Sequence, residues 1–334
     1  AHFEKDGTLP NMICGNDAGN RDTSDAPFWF FVACSDLTRA FSSAHWLDDD
    51  IGGRTVRDAL NSLARGVMRG TVNNIRMDSE SGLVFSPAHF TWMDTNHPAG
   101  TPREGYPIEI QALWHAALSF LSRIDNDPLW SATAARVSES MVRRYWVAGK
   151  GYCIDCLHGA CGTSAAQAVP DDALRPNQIL AFTLGAIGDR EIRRRSLESC
   201  RELLVPGAIR TLADRPVEYP LPVRKDGRLL NDPLRPYWGR YEGDEDTRRK
   251  PAYHNGTAWT WLFPSFCEAW ADAFGPESRT TALSILCSST EILNTACLGQ
   301  IPEIVDGDWP HTSRGCDAQA WGVTELYRVL KLLQ

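Results

Sequence analysis

The sequence predicts an all-α fold in which paired helices surround a central cavity, and three observations predict it. Apolar residues recur at three- and four-residue spacing in about nine long segments, the signature of helices that bury one stripe. Period-two alternation, the mark of half-buried strands, is scarce. The helical segments are separated by long polar, Gly- and Pro-rich stretches at 78–107, 148–175, 206–254 and 298–316. Stretches of that length usually carry function, and these are too aromatic for disorder. Helices in antiparallel succession, with long loops gathered at particular connections, make a helical toroid. No internal repeat or linker divides the 334 residues, so one domain over 1–334 is expected.

Taken in order, the predicted helices are 25–42, 55–77, 108–125, 129–147, 176–188, 190–204, 256–274, 277–296 and 317–333. Asp25 can cap the first, Gly188 can end the 176–188 segment, and Pro264 should kink the 256–274 helix. Cys34, Cys200, Cys267, Cys287 and Cys297 fall in or at the ends of these apolar runs, where a thiol behaves as a small buried hydrophobe. Ten cysteines spread over this length read mostly as reduced rather than as a disulfide scaffold, and cytoplasmic residence is expected.

Composition excludes several functions. With 34 Lys+Arg against 42 Asp+Glu the net charge is −8, no footprint for nucleic acid or an anionic membrane surface. No uncharged apolar run is long enough to span a bilayer. The 12 tryptophans stand out, and they mark the loops where chemistry concentrates.

The segment 89–107 places Asp94 two residues from Trp92 and a few before Arg103 and Glu104. A carboxyl packed beside an indole has its charged form desolvated, so it can hold a proton near neutral pH; the bland alternative is that Asp94 only caps a turn. The segment 299–316 crowds Glu303, Asp306 and Asp308 round Trp309. Two separated acidic loops, each with tryptophan, suit glycoside hydrolysis: one carboxylic acid protonates the leaving oxygen, and one carboxylate activates water or attacks the sugar. Aromatic faces suit the apolar face of a pyranose, and Trp238, Tyr241, Tyr253, Trp259, Trp261 and Trp321 are further candidates, each with core packing as the alternative.

Three rival motifs are weaker. Asp48-Asp49-Asp50 resembles the aspartate cluster that holds magnesium diphosphate, but a run of three acids is more often a solvated turn. Cys153-x-x-Cys156-x-His158-x-x-Cys161 offers four soft ligands for zinc, with a metal-free thiol-rich loop as the default, since zinc ligands usually come as two separated pairs. No nucleophile-elbow pattern supports a Ser/His/Asp triad. No metal and no cofactor is therefore expected.

A set of blocks running nearly end to end carries a resemblance. These are Gly7-Thr-Leu-Pro-Asn11, Thr23-Ser-Asp-Ala-Pro-Phe-Trp-Phe30, Thr91-Trp-Met-Asp94, Thr101-Pro-Arg103 and Pro107-Ile-Glu-Ile-Gln-Ala-Leu-Trp114. They continue with Leu174-Arg-Pro-Asn-Gln178, Gly207-Ala-Ile-Arg-Thr-Leu212, Tyr253-His-Asn-Gly-Thr-Ala-Trp259, Glu303-Ile-Val-Asp-Gly-Asp308 and Arg314-Gly-Cys-Asp-Ala-Gln-Ala-Trp321. In these blocks the chain resembles the amylo-α-1,6-glucosidase family, the C-terminal glucosidase of glycogen debranching enzyme and its stand-alone bacterial relatives. The resemblance implies an (α/α)6 toroid that hydrolyses α-1,6-linked glucosyl stubs of a branched α-glucan with inversion. It implies Asp94 as general acid and Glu303 as general base. It further implies that Glu109 and Trp114 point into the cavity, and that Asp25, Arg175, Asn177, Gln178, Tyr253, His254 and Trp259 line the sugar site. Trp92, Arg103 and Trp309, from the two acidic loops and their surroundings, are further candidates for substrate contact. The family's leading Trp-x-x-Gly-Arg-Asp-Thr block is not in this sequence, so the first helices of the toroid are expected to be missing from it. Neutral invertases share a similar Pro-Ile-Glu-Ile-Gln-Ala-Leu block, which keeps another sugar linkage open, and a glucan-binding module without turnover is the remaining alternative.

Overall fold

The computed structural model describes residues 4–15, 17–96 and 100–334. Among them are ten α-helices: α1 Ala26–Phe41, α2 Val56–Arg69, α3 Ile108–Ile124, α4 Pro128–Tyr145, α5 Ile179–Thr183, α6 Arg190–Cys200, α7 Lys250–Tyr253, α8 Phe263–Phe274, α9 Arg279–Cys287 and α10 Ala320–Leu333. No described strand exceeds three residues, so the fold is mostly helical with small sheets.

Local chemistry sets the helix starts. Thr55 and Asp58 form a reciprocal capping box at the head of α2, with the Thr55 hydroxyl accepting from the Asp58 amide at 3.0 Å. Pro128 occupies the first turn of α4, where its missing N–H costs nothing, and Asp127 accepts from the Leu129 amide at 3.0 Å. Helix α3 reads Ile-Glu-Ile-Gln-Ala-Leu-Trp and is buried round its whole first two turns, because α1, α4 and α5 all pack against it.

Contacts run in succession from α1 to α3, α3 to α5, α5 to α8 and α8 to α10, with α4 packed behind α3 and α9 behind α8. Side chains of all five helices of that succession line one cavity of 240 Å³. The segments entering these helices converge at the other end of the bundle: Trp261, just before α8, lies edge-on to Trp92 and stacks on Trp321 of α10, and Trp29 of α1 is edge-on to both Trp261 and Trp321.

The connections hold five short strands in one sheet, in the order 313–314, 304–305, 258–259, 208–210, 204–205. Trp259 pairs with Ile304 on one side and Ile209 on the other, and Ile304 pairs with Arg314. This sheet ties the 299–316 loop to the segment entering α8.

Several helix bounds differ from the sequence expectation for physical reasons. The 55–77 segment stops at Arg69 because Gly70 takes φ +96, and Arg76–Met77 pairs instead with Val84–Phe85. Of 176–188 only Ile179–Thr183 is α-helical, after a 3-10 turn at Pro176–Gln178, and Gly185 rather than Gly188 takes positive φ. The 256–274 helix begins at Phe263, since Ala258–Trp259 joins the sheet, so Pro264 lies in the first turn and produces no kink. Asp25 stands at the N-cap of α1 without capping it; its Oδ1 accepts the Thr23 hydroxyl at 2.7 Å, and Thr23 Oγ1 takes the Ala26 amide at 3.2 Å.

All ten cysteines are free thiols. Cys34, Cys200 and Cys267 are buried as expected, whereas Cys287 and Cys297 are exposed. No described helix is long and apolar enough to cross a membrane.

Candidate active site

Glu303 is fixed by the sheet on both sides of its backbone. Its carbonyl accepts from the Thr260 amide at 3.3 Å, and its amide donates to the Cys316 carbonyl at 2.8 Å. The carboxylate is then held by three donors: the Tyr253 hydroxyl at 2.7 Å and Gln319 Nε2 at 3.2 Å on Oε1, and the Cys316 amide at 3.1 Å on Oε2. Gly315, at φ +69, leaves room for this carboxylate, because a Cβ there would collide with Glu303 Oε2.

Asp94 sits on a second loop. The loop is anchored by the Ser24 amide donating to the Phe90 carbonyl at 2.6 Å and by the His89 amide donating to the Pro102 carbonyl at 3.0 Å. Trp92 is buried and its indole N–H donates to Asn177 Oδ1 at 2.9 Å, while Asp94 two residues on remains accessible. Packed protein round its carboxyl withdraws water and raises the pKa of Asp94, and the charge of Glu303 raises it further. Asp25 is raised too, chiefly by burial, with the charge of Asp94 adding to it. Asp25, Asp94 and Glu303 thus act on one another electrostatically, within one site.

An aromatic wall joins the two loops. Trp92 lies edge-on to Trp259 and His254, with ring centroids 5.1 and 5.3 Å apart, and His254 stacks on Trp259. Tyr253 packs on Trp259, and Tyr241 on Tyr253. His254 is kept neutral by burial and by the nearby Arg175 and Arg103, which hold its pKa well below the usual histidine range. Neither of its ring nitrogens has a hydrogen-bond partner among the described residues.

Behind the wall lies a buried ionic layer. Arg103 pairs with both oxygens of Glu109 at 2.5 and 2.6 Å, with Asp155 at 2.7 Å and with the Thr91 hydroxyl at 3.1 Å. Asp155 also accepts from Asn177 Nδ2 at 2.8 Å, and Arg175 reaches the carbonyls of Thr211 and His254 and the side chain of Asn255. Removing such groups from water is expensive, so they persist only as a mutually satisfied set, and here the set supports Thr91–Trp92–Met93 directly beneath Asp94.

The sequence-predicted residues therefore separate into two layers. Asp94, Glu303, Asp25, Trp92, Tyr253, His254 and Trp259 come together. Arg103, Glu109, Arg175, Asn177 and Gln178 are buried behind them, Gln178 accepting the Cys153 amide at 2.9 Å. Trp114 lies in the core, packed on Phe28 with its indole N–H on the Gly82 carbonyl, and does not reach the cleft. Trp309 is 79% exposed at the rim. The four-ligand metal candidate does not form: Cys153 is buried, Cys156 Sγ faces the Arg103 carbonyl at 3.7 Å, His158 pairs with Asp171 at 3.0 Å, and Cys161 is exposed. No group of three or more potential ligands gathers among the described residues. Asp48 is spent on Arg57, as a solvated turn would be. Sequence reasoning missed Asp155, hidden among the thiols of 153–161, and Gln319, although the latter lies inside the Arg314–Trp321 block.

Two carboxyl groups on separate loops, joined by an aromatic wall, form the candidate site, and the family to which the chain belongs is one of glycoside hydrolases. The chain belongs to the amylo-alpha-1,6-glucosidase family, whose pattern it matches over residues 1–328. It is similar to the glycogen debranching enzyme of Saccharomyces cerevisiae, at 25% identity over 240 residues covering 58% of this chain and 14% of that protein. The chain thus spans only a small part of that relative's length. Among solved structures it is similar to a rhamnosidase from Klebsiella oxytoca with rhamnose bound, at a TM-score of 0.56 and 12% identity, covering 98% of this chain and 51% of that one.

Proposed function

We propose that the protein releases glucose from α-1,6-linked stubs of a branched α-glucan by an inverting mechanism. Asp94 donates its proton to the departing glucan oxygen, and Glu303 takes a proton from water attacking the opposite face of the sugar. The observation that carries this is the asymmetry of the pair: the pKa of Asp94 is raised by desolvation and further by the charge of Glu303, while the carboxylate of Glu303 is held in place by three hydrogen-bond donors. Asp25 and the wall of Trp92, Tyr253, His254 and Trp259 would hold the glucosyl ring, while Arg103, Glu109, Arg175, Asn177 and Gln178 would position those groups from behind. Family membership and the likeness to a debranching enzyme support the linkage.

The succession α1, α3, α5, α8, α10 round one cavity supports an (α/α)6 toroid as the plan of the domain.

The test is incubation with a limit dextrin bearing single glucosyl stubs, followed by proton NMR of the released sugar. Free β-glucose as first product is expected, with Asp94→Asn and Glu303→Gln each slower by about 10²–10⁴-fold. Full activity in either variant, or cleavage of sucrose or linear maltodextrin in preference to the stub, would overturn the proposal.

A further inference from the structure

A second concave surface lies on the outer side of the wall that carries Glu303. The segment 237–243 packs on the 303–308 loop: the Gly307 amide donates to the Gly239 carbonyl at 2.6 Å, and the Tyr241 amide donates to Asp306 Oδ1 at 2.8 Å. Tyr241 turns its ring inward onto Tyr253, within the site. Its neighbours Tyr237, Trp238, Arg240 and Glu242 instead line a separate groove of 590 Å³, together with Asp214, Arg248 and Asp308. The loop that presents Glu303 inward therefore presents Asp308 outward, five residues on.

We propose that this groove binds an unbranched stretch of α-glucan, the main chain from which the hydrolysed stub projects. The inference rests on the stub-releasing function proposed above. Three features select a neutral polyhydroxylated ligand. Trp238 is half-buried, with one face engaged by Arg248 at 6.0 Å, and Trp309 is exposed beside the groove with its carbonyl bonded to Arg240 Nη2 at 3.3 Å, so indole surface is on offer to a pyranose face. The polar lining is planar and bifunctional: carboxylates of Asp214, Glu242 and Asp308 and guanidinium groups of Arg240 and Arg248, which suit pairs of vicinal hydroxyls. Those three acids and two bases nearly cancel, so the groove offers little to a polyanion.

The anchoring is rigid. Tyr237 donates its hydroxyl to Asp308 Oδ1 at 2.8 Å, and the Trp238 amide donates to the Asn255 carbonyl at 2.6 Å, in the residue that follows His254. A main chain seated outside would place a branch glucose over the rim towards Tyr241, Tyr253 and Glu303. An isolated stub lacks that hold.

The test is binding of linear maltoheptaose, which has no α-1,6 bond, to the full chain by calorimetry, with Arg240→Ala and Trp238→Ala as variants and thermal melting as the check on folding. Arg240 is half-exposed and, among the described residues, makes only surface contacts, to Asp308 and the Trp309 carbonyl, so its loss leaves the buried core untouched. Binding by the wild-type protein, at least tenfold weaker in both variants and undiminished in Glu303→Gln, is expected. Absence of binding, or equal binding by wild type and the Arg240→Ala variant, would overturn the groove. A groove that binds maltoheptaose in a protein that releases no glucose from limit dextrin would leave this assignment standing and remove the hydrolytic one. Hydrolysis with no maltoheptaose binding would do the reverse.

Discussion

The hydroxyl of Tyr253 donates to Glu303 Oε1 at 2.7 Å, joining the end of one short helix to the start of a strand 50 residues away. A hydrogen bond to a charged acceptor contributes about 1.5–3 kcal/mol. Tyr253→Phe removes the donor and keeps the ring against Trp259 and Tyr241. It should slow stub hydrolysis by about 10–100-fold, read as kcat, with the melting temperature little changed. A variant with wild-type kcat would show that Tyr253 does not orient the carboxylate.

Gly315→Ala is expected to act on the same carboxylate from its other side. A Cβ would collide with Glu303 Oε2 and would also strain a backbone at φ +69. Activity should fall by two orders of magnitude or more, on the scale of a misplaced catalytic group, about 10². A lowered melting temperature with full specific activity in the folded fraction would confine Gly315 to a structural role.

Both Asp25 and Asp94 have raised pKa values, each chiefly through burial. For such a group the folded state binds its proton more tightly than the unfolded chain. Its stabilising contribution is complete below the ordinary aspartate value, about 3.9, and is lost as pH rises through the raised folded value. Asp25→Asn should therefore raise the melting temperature at neutral pH, by about 1–3 °C, with the gain vanishing near pH 4, while accessible Asp94, screened by solvent, should show little such gain. A gain that grew on acidification would contradict the shift. The same sign sets the rate profile, since hydrolysis that needs protonated Asp94 declines as pH rises through its raised value. In Glu303→Gln, loss of the neighbouring charge should move the NMR titration of Asp94 downward.

Asp155→Ala leaves Arg103 and Arg175 in the interior without their shared carboxylate. Breaking a buried ion pair on one side costs about 3–5 kcal/mol, and the denaturant midpoint should fall accordingly. Activity in the surviving folded protein should fall as well, because Asp155 and Asn177 together hold Trp92 beneath Asp94. Wild-type stability in this variant would mean that the two arginines find other partners.

Trp114→Ala separates core from cleft. Its indole is wholly buried against Phe28, so truncation should cost about 3–5 kcal/mol of stability while KM for the dextrin stays constant. A raised KM without destabilisation would return Trp114 to the sugar site.

The sequence by itself determined the helical class, the order of the main helices and the two acidic loops, because helical periodicity and the Trp-x-Asp and Glu-x-x-Asp-x-Asp patterns are local signals. It also carried the family, through blocks spread along nearly the whole chain. Only the tertiary structure decided which members of those blocks face the cleft. Glu109 and Trp114 lie on the helix that leads from the site, yet α3 is packed by neighbours on every side, and both end in the interior. Asp155 is silent in sequence beside three cysteines, and it becomes central because two arginines from distant loops must share a carboxylate once they are removed from water. Local spacing fixes periodicity and turns, whereas desolvation and pairing depend on what the rest of the chain brings alongside.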